Sequence, residues 1–137
     1  MSEAPARKTY THRVRVGYVD TDLAGVVHHS TYLRYLEAAR VEFLRHHGVD
    51  FRLLEQEGHL AMPVVEVELR YKLPAHFDDQ LGLETWVGRL TRARLRFDTH
   101  IWCEGKLLTE AQIMLCCIDM ATGRPRVLPD MIHSACV

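Results

Sequence analysis

The chain lacks the features that mark several large classes of protein. Among its 137 residues no apolar run approaches the about 20 needed to cross a bilayer. Its first residues, MSEAPARKTYTHRVRV, contain no apolar segment of a secretory signal. Its four cysteines form no CxxC pair and no metal-ligand spacing. With 17 Lys and Arg against 18 Asp and Glu the net charge is −1, which argues against a globally basic nucleic-acid binder and leaves only a local cationic patch open. We therefore expect a cytoplasmic protein with reduced thiols and with no membrane span, metal or nucleic-acid partner.

What is present is ordinary globular composition. Hydrophobic residues make up 47% of the chain and charged residues 26%, which excludes a disordered or fibrous protein. The length suits a single domain that covers residues 1–137. Residues 1–7, rich in Ala and Pro, are expected to form a flexible tail.

Hydrophobic periodicity divides the chain into a helical part and a sheet-forming part. Alternation over residues 10–18 predicts a half-buried strand. Apolar residues at spacings of three and four then predict a long helix, which Ser30 or Thr31 begins and Gly48 follows. A short helix is expected over residues 51–57. After it the period changes to two, which predicts strands over 65–72, 81–87, 95–101 and 107–119.

This order of elements indicates an α+β fold in which a five-stranded antiparallel sheet curls around one long helix. The last four strands are expected to pair in chain order as a meander. One helix covers only one face of such a sheet, and the last strand is apolar on both faces. Its second apolar set therefore predicts a covering subunit. That set comprises Leu108, Met114, Cys116 and Ile118.

The densest polar cluster lies in the loop between the first strand and the long helix. It contains Asp20, Thr21, Asp22, Gly25, His28 and His29. The first N–H groups of a helix are unpaired and carry partial positive charge, so they can polarise a carbonyl or hold an oxyanion. A carboxylate that faces such a site can act as general base or nucleophile. The same residues also suit Asx turns in a solvated loop, and no phosphate-binding glycine loop accompanies the DxD pair.

A second polar feature is a run of arginines before and within the fourth predicted strand. It consists of Arg89, Arg92, Arg94 and Arg96. Guanidinium groups aligned at a sheet edge bind phosphate or carboxylate groups in bidentate fashion. A solvated face on which the arginines pair with Glu84 or Asp98 is the simpler interpretation of the same residues.

Several stretches of the chain resemble a known family. Val16–Leu33 reads VGYVDTDLAGVVHHSTYL and resembles the signature of hotdog-fold acyl-CoA thioesterases. The match is to the 4-hydroxybenzoyl-CoA thioesterase family and, within it, to the YbgC-like branch. The resemblance continues through Glu37–Arg40, Val67–Ala75 and Asp78–Leu81. It covers nearly the whole chain, and the hotdog topology agrees with the order of strand, helix and sheet predicted above.

The resemblance implies hydrolysis of an acyl-CoA thioester to a free acid and coenzyme A, with no cofactor. It assigns the catalytic carboxylate to Asp22. At His29 it implies a backbone N–H, assisted by the imidazole, that faces the thioester. Gly25 and Tyr32 are implied to bind substrate, and Thr31 stands where many relatives carry Asn.

The resemblance also implies where coenzyme A binds and how subunits assemble. Arg92 and Arg94 are expected near the phosphates of coenzyme A. The expected assembly is a homodimer at least, and a tetramer built from dimers, with the active site between subunits. Asp20 is expected to have a structural or supporting role.

Two other functions compete with thioester hydrolysis. A hotdog-type enoyl-CoA hydratase also pairs an Asp with a His, and a non-catalytic hotdog domain could only bind acyl-CoA. The stretch from Asp20 to Tyr32 matches the thioesterase signature, which favours the hydrolase. Aryl, short-chain and long-chain acyl groups stay open, as does acyl carrier protein in place of coenzyme A.

Overall fold

The computed structural model describes residues 7–137. Residues 1–6 of the expected tail lie outside the described residues, and the Arg7 guanidinium lies 3.9 Å from the ring centroid of Trp86. A 3-10 turn at Tyr18–Asp20 follows the first strand. The helices and strands are β1 (Thr9–Arg15), α1 (Thr31–His46), α2 (Phe51–Gln56), β2 (Leu60–Ala61), β3 (Val64–Tyr71), β4 (Gln80–Leu90), β5 (Arg94–Cys103), β6 (Lys106–Cys116), β7 (Ile118–Asp119) and α3 (Asp130–Cys136).

One antiparallel sheet holds the five long strands in the order β1-β4-β5-β6-β3. The expected α+β fold with a long helix against a five-stranded antiparallel sheet is therefore confirmed. The meander is correct for β4, β5 and β6 but wrong for β3, which pairs with β6 at the far edge while β1 pairs with β4. Alternation tells which face a side chain takes, but it carries no information about which strand lies alongside.

Helix α1 packs its apolar face against one face of the sheet. Its buried residues recur at spacings of three and four, as predicted; they are Tyr32, Tyr35, Leu36, Ala39, Phe43 and Leu44. The Phe43 ring meets Phe97 of β5 edge-on, with centroids 5.7 Å apart. After the helix, Gly48 adopts φ 101°, a left-handed conformation that costs other residues energy.

A β-bulge near the start of β6 reverses the predicted facing of one leucine. Trp102 pairs with Leu107 but Ile101 pairs with Thr109, so one extra residue lies on β6. Leu108 consequently turns into the core and is 4% exposed, so its assignment to the outer face is wrong. Met114 and Cys116 are on the outer face but are already buried within the chain. Ile118, the fourth member of the set, is half-buried and lies on β7, which pairs with β2 in a separate two-stranded sheet. The predicted second apolar set therefore gives no argument for a covering subunit.

Exposed apolar residues are found instead along the free side of β3, which has no strand beside it among residues 7–137. Val67, in the middle of the strand, is 47% exposed. We call this region the β3 edge surface; it comprises Val64, Val65, Val67, Tyr71 and Leu73. An apolar strand edge of this kind is typical of a surface that pairs with another chain.

The sequence analysis does not predict helix α3. The residues that favour a helix start at this point are Pro129, immediately before the helix, and the acidic Asp130 in its first turn. It buries Ile132 and Ala135 and contacts α1.

Candidate active site

The loop between β1 and α1 folds into a small hairpin. Thr21 forms an antiparallel bridge with Val27, and the N–H of Asp22 donates to the carbonyl of Val26 at 2.9 Å. The turn closes where the Gly25 N–H donates to the Asp22 carbonyl at 3.0 Å, with Gly25 at φ 79°. A side chain at that position would strain the backbone, so Gly25 serves the turn that presents Asp22.

Asp20 is buried next to this hairpin, and both of its carboxylate oxygens have partners. Its carboxylate accepts the Tyr35 hydroxyl at 2.7 Å and the Gly17 N–H at 3.2 Å, and it forms an ion pair with Arg34. Burial acts to raise the pKa of Asp20, but the two hydrogen bonds and the Arg34 charge outweigh it and hold that pKa below its ordinary value. Asp20 therefore anchors the loop to α1.

Asp20→Asn is expected to destabilise the fold at neutral pH and to flatten its acid sensitivity. The lowered pKa means that the ionised carboxylate stabilises the fold above pH 3.8 and loses this contribution as pH falls through the folded-state pKa. Urea unfolding at pH 7 should show a loss of about 1.5–3 kcal/mol, the range for hydrogen bonds to a charged group. Below the folded-state pKa the wild type loses the same charge, so the difference should shrink.

The exposed Glu55 supplies the control for this experiment, since its carboxylate has no hydrogen bond or ion pair within residues 7–137. Glu55→Gln should change stability by less than about 0.5 kcal/mol at either pH. An undiminished difference between wild type and Asp20→Asn at strongly acidic pH would contradict the role given to the ionised Asp20.

Asp22 lies at the tip of the hairpin and is exposed to solvent. Its Oδ1 accepts the N–H of Ala24 at 2.8 Å, which is an Asx turn of the kind expected from the sequence. Within residues 7–137 its Oδ2 has no hydrogen-bond partner. The side chain is thus held by one oxygen and presents the other outward.

The start of α1 leaves the backbone N–H of His29 free. The carbonyl of His28 accepts the Thr31 N–H at 2.9 Å, and the Ser30 N–H donates to His28 Nδ1 at 3.2 Å. In the part of the chain that the structure describes, the His29 N–H has no partner. An unpaired N–H at a helix start, where the helix dipole is positive, can donate to a carbonyl oxygen.

His29 also lines a cavity of about 310 Å³ between α1 and the end of β3. Tyr32 forms its floor, buried at 2% exposure, and the Tyr32 hydroxyl accepts the Ala75 N–H at 3.4 Å. The other lining residues are Val27, Tyr71, Lys72, Leu73 and Pro74. The structure therefore brings His29 and Tyr32 together at one cavity, whereas Asp22 and Gly25 lie outside its lining.

The predicted arginines lie at the opposite end of the sheet. Arg92 is in the turn before β5, and Arg94 begins β5 opposite Cys116, whose N–H donates to the Pro63 carbonyl just before β3. Tyr71 is the last residue of β3, so the length of that strand, about 23 Å at ~3.3 Å per residue, separates Arg94 from the cavity. Both arginine side chains are exposed.

Arg96 forms an ion pair with Asp98, as the simpler interpretation of the arginine run predicts. Its guanidinium donates to both carboxylate oxygens of Asp98, at 2.8 and 3.1 Å. It borders a cleft of about 470 Å³ on the outer face of the sheet that includes none of the predicted catalytic residues. Arg96 is therefore a structural ion pair.

Among residues 7–137, no group of three or more His, Cys, Asp or Glu side chains is arranged to hold a metal ion. No helix in that same range is long and apolar enough to cross a bilayer.

Sequence reasoning missed Arg34, Tyr35 and Tyr71, which hold the loop and the helix start. Tyr35 lies on the apolar stripe of α1, yet its hydroxyl binds Asp20. The hydroxyl of Tyr71 donates to the carbonyl of His29 at 2.9 Å. A tyrosine on an apolar stripe shows no hydrogen-bond partner in sequence, and the only available signal was that Tyr71 falls in a family-like stretch.

Comparisons with known proteins agree with this architecture. A model of the thioesterase-like superfamily matches residues 14–136. The acyl-CoA thioester hydrolase YbgC of Escherichia coli O6:H1 is 38% identical over 120 residues, covering 87% of this chain and 89% of that protein. The acyl-CoA thioesterase YbgC of Haemophilus influenzae is 34% identical over 122 residues, covering 89% of this chain and 90% of that protein.

A solved structure is similar over almost the same range. The 1,4-dihydroxy-2-naphthoyl-CoA thioesterase from Synechocystis superposes with a TM-score of 0.86 at 26% identity, covering 93% of this chain and 95% of that one. The resemblance found in the sequence is thereby confirmed. The chain belongs to the thioesterase-like superfamily and, within it, to the YbgC-like acyl-CoA thioesterases of the hotdog fold.

Proposed function

We propose that this acyl-CoA thioesterase polarises the thioester carbonyl with the His29 N–H and supplies the reacting carboxylate from Asp22. The observation that carries the proposal is the unpaired N–H of His29, a residue at the start of α1 that lines a cavity. A donor aimed at the carbonyl oxygen stabilises the oxyanion that forms there. The His29 imidazole assists by hydrogen bonding.

The carboxylate has two routes to the same products. Asp22 can take a proton from a water molecule that attacks the carbonyl carbon, or it can attack that carbon itself and be released by water. In both routes the C–S bond breaks, and the coenzyme A thiolate leaves and takes up a proton. The unpartnered Oδ2 of Asp22 is the oxygen available for this step.

A second subunit is needed to complete the site. Asp22 is exposed at the hairpin tip, and two apolar side chains of the same loop are also exposed, Val19 at 92% and Leu23 at 109%. We propose that the partner subunit covers this tip and turns it into the wall of a closed cavity. Excluding water there strengthens every charge interaction with the thioester.

The β3 edge surface is the proposed contact in this dimer. The Lys72 N–H donates to the Leu108 carbonyl at 2.8 Å, so the N–H groups of alternate residues along β3 point toward β6. The intervening residues Leu69 and Val67 then direct their backbone groups away from β6. They are free to pair with β3 of the partner subunit about a two-fold axis, and dimers of this kind are proposed to associate into a tetramer.

Two-fold pairing of β3 explains how arginines that lie far from the cavity of their own subunit can serve the cavity of the partner subunit. Antiparallel pairing reverses the strand, so Arg92 and Arg94 of the partner subunit approach the end of β3 that holds Tyr71 and His29. Three strand spacings of about 4.8 Å then separate the partner's Arg94 from β3, roughly 14 Å. A pantetheine arm bridges such a distance. The partner's arginines are therefore proposed to bind the coenzyme A phosphates.

Arg92→Ala combined with Arg94→Ala is expected to raise KM for acyl-CoA by roughly tenfold with little change in kcat, because phosphate contacts are alike in ground and transition states. The penalty should largely disappear with an acyl-pantetheine, which lacks the nucleotide. Arg96→Ala is the control, since its guanidinium is bound to Asp98. An equal loss on both substrates would contradict nucleotide binding by these arginines.

A thiol-release assay tests the proposed function as a whole. Wild-type enzyme is incubated with aryl, short-chain and long-chain acyl-CoAs and with acyl carrier protein substrates, and the free thiol is measured. Release from an acyl donor supports hydrolysis and identifies the acyl preference. Hydration of an enoyl-CoA without thiol release, or acyl-CoA binding without turnover, would replace the proposal by a hydratase or a binding domain.

We also propose that residues 1–137 act as one hotdog domain in the cytoplasm. All four cysteines, Cys103, Cys116, Cys117 and Cys136, are free thiols, as expected in a reducing compartment. Burial raises the pKa of the Cys136 thiol to about 11, which keeps it unreactive.

A further inference from the structure

Hydrogen bonds hold both peptide groups that flank the Cα of His29. In the preceding group, the His28 carbonyl accepts the Thr31 N–H at 2.9 Å. In the following group, the Ser30 N–H donates to His28 Nδ1 at 3.2 Å and the His29 carbonyl accepts the Tyr71 hydroxyl at 2.9 Å. Together these bonds determine the two backbone torsions of His29, and therefore the direction of its free N–H.

Tyr71 is the one distant member of this set. The other two bonds join residues two or three apart, whereas Tyr71 lies 42 residues from His29 at the end of β3. Local bonds preserve the shape of the helix start but do not tie it to the rest of the molecule, and helix ends fray. Hydrogen bonds to Ala75 hold Val27 and Tyr32 on either side, and the Tyr71 hydroxyl holds the His29 peptide itself to the sheet.

We propose that Tyr71 is a positioning residue, whose hydroxyl holds the His29 N–H in the direction that a thioester carbonyl oxygen requires. This inference rests on the proposed function, since it takes that N–H as the oxyanion donor. A donor that is already oriented needs no reorganisation when charge develops on the oxygen. Without the Tyr71 bond the donor would sample other directions, and the chemical step would slow.

The ring and the hydroxyl of Tyr71 make different contacts, so a substitution can test the hydroxyl alone. The ring packs edge-on against Tyr32, with centroids 5.2 Å apart, and both rings line the cavity. Burial raises the pKa of Tyr71, so the hydroxyl stays protonated and able to donate at neutral pH. Phenylalanine keeps the ring and its packing and removes only the donor.

Tyr71→Phe is therefore expected to lower kcat by about tenfold, a fraction of the 10²–10³ that loss of a whole oxyanion donor costs. KM should stay within about twofold, because the ring that lines the cavity is retained. Tyr10→Phe is the matched control. Tyr10 stacks on His46 at the other end of α1, and its hydroxyl has no partner within residues 7–137. The control should retain wild-type kcat and KM.

A second measurement does not depend on turnover. The ¹⁵N order parameter of the His29 amide should be that of rigid backbone, about 0.85, in the wild type and fall toward 0.6 in Tyr71→Phe. The His47 amide, at the other end of α1, should not change. Wild-type kcat in Tyr71→Phe, or an unchanged His29 order parameter, would overturn the positioning role. If the wild type itself releases no thiol, the proposed function fails, and the order parameter still decides whether Tyr71 orients His29.

Discussion

Asp22→Asn is expected to lower kcat by at least about 10²-fold, the scale of a positioned acid–base group, and to change KM far less. Asparagine matches aspartate in size, and its carbonyl oxygen can still accept the Ala24 N–H that Asp22 accepts at 2.8 Å. The hairpin is therefore preserved. What is lost is the carboxylate oxygen that takes a proton or attacks the thioester. Initial rates of thiol release across a range of acyl-CoA concentrations measure both constants.

Two further variants compare the contributions of Asp20 and His29 to turnover with that of Asp22. Asp20→Asn should reduce kcat less than Asp22→Asn, because Asp20 is bound to Arg34 and Tyr35 and acts by holding the loop. His29→Ala removes the imidazole but keeps the backbone N–H, so turnover should fall without being abolished. Near-native turnover in Asp22→Asn would end this mechanism. A His29→Ala enzyme as inactive as Asp22→Asn would make the imidazole a principal acid or base.

Val67→Lys is expected to break the proposed dimer and to remove most activity. In a single chain Val67 is 47% exposed, so a lysine there meets water and leaves the fold intact. In the dimer the same lysine would be buried at the β3 edge surface of both subunits, which costs several kcal/mol at each position. The variant should be monomeric by light scattering.

The activity of that monomer tests whether the site is shared. A separated subunit leaves Asp22 uncovered and has no partner arginines near its cavity, so kcat/KM should fall by at least about 10²-fold, as misplaced catalytic groups do. Val67→Thr, which keeps a branched side chain and no charge, should remain oligomeric and active. A stable monomer with full activity would disprove the shared site, and a Val67→Lys dimer would disprove pairing through β3.

Much of the fold was readable because its signals are local. The spacing of Tyr32, Tyr35, Leu36, Ala39 and Phe43 predicts the buried face of α1, and the period-two stretches predict the long strands. Asp50 caps α2 by accepting the N–H groups of Arg52 and Leu53. Each of these features depends on residues within one or two turns of one another, so periodicity and capping preferences suffice.

Features that depend on distant partners could not be predicted from the sequence. The facing of Leu108 depends on a bulge against β5, and the place of β3 depends on strand pairing across the sheet. A single extra residue on one strand breaks the alternation at that point, so Leu108 turns inward while Met114 keeps its assigned face, and the residue pattern within the strand does not reveal it.

The residues of the candidate site fall into the same two groups, those with local sequence signals and those that depend on distant partners. The amino-acid pattern was enough to predict the family-like stretch with Asp22 and His29, the long helix that begins just after them, and the two-layer α+β architecture. The packing of the folded chain was needed to show that Asp20 is a buried anchor, that the His29 N–H is free, and that Tyr71 holds the His29 carbonyl. Residue type and spacing specify local backbone and burial, whereas the partner of each hydrogen bond depends on how distant segments pack together.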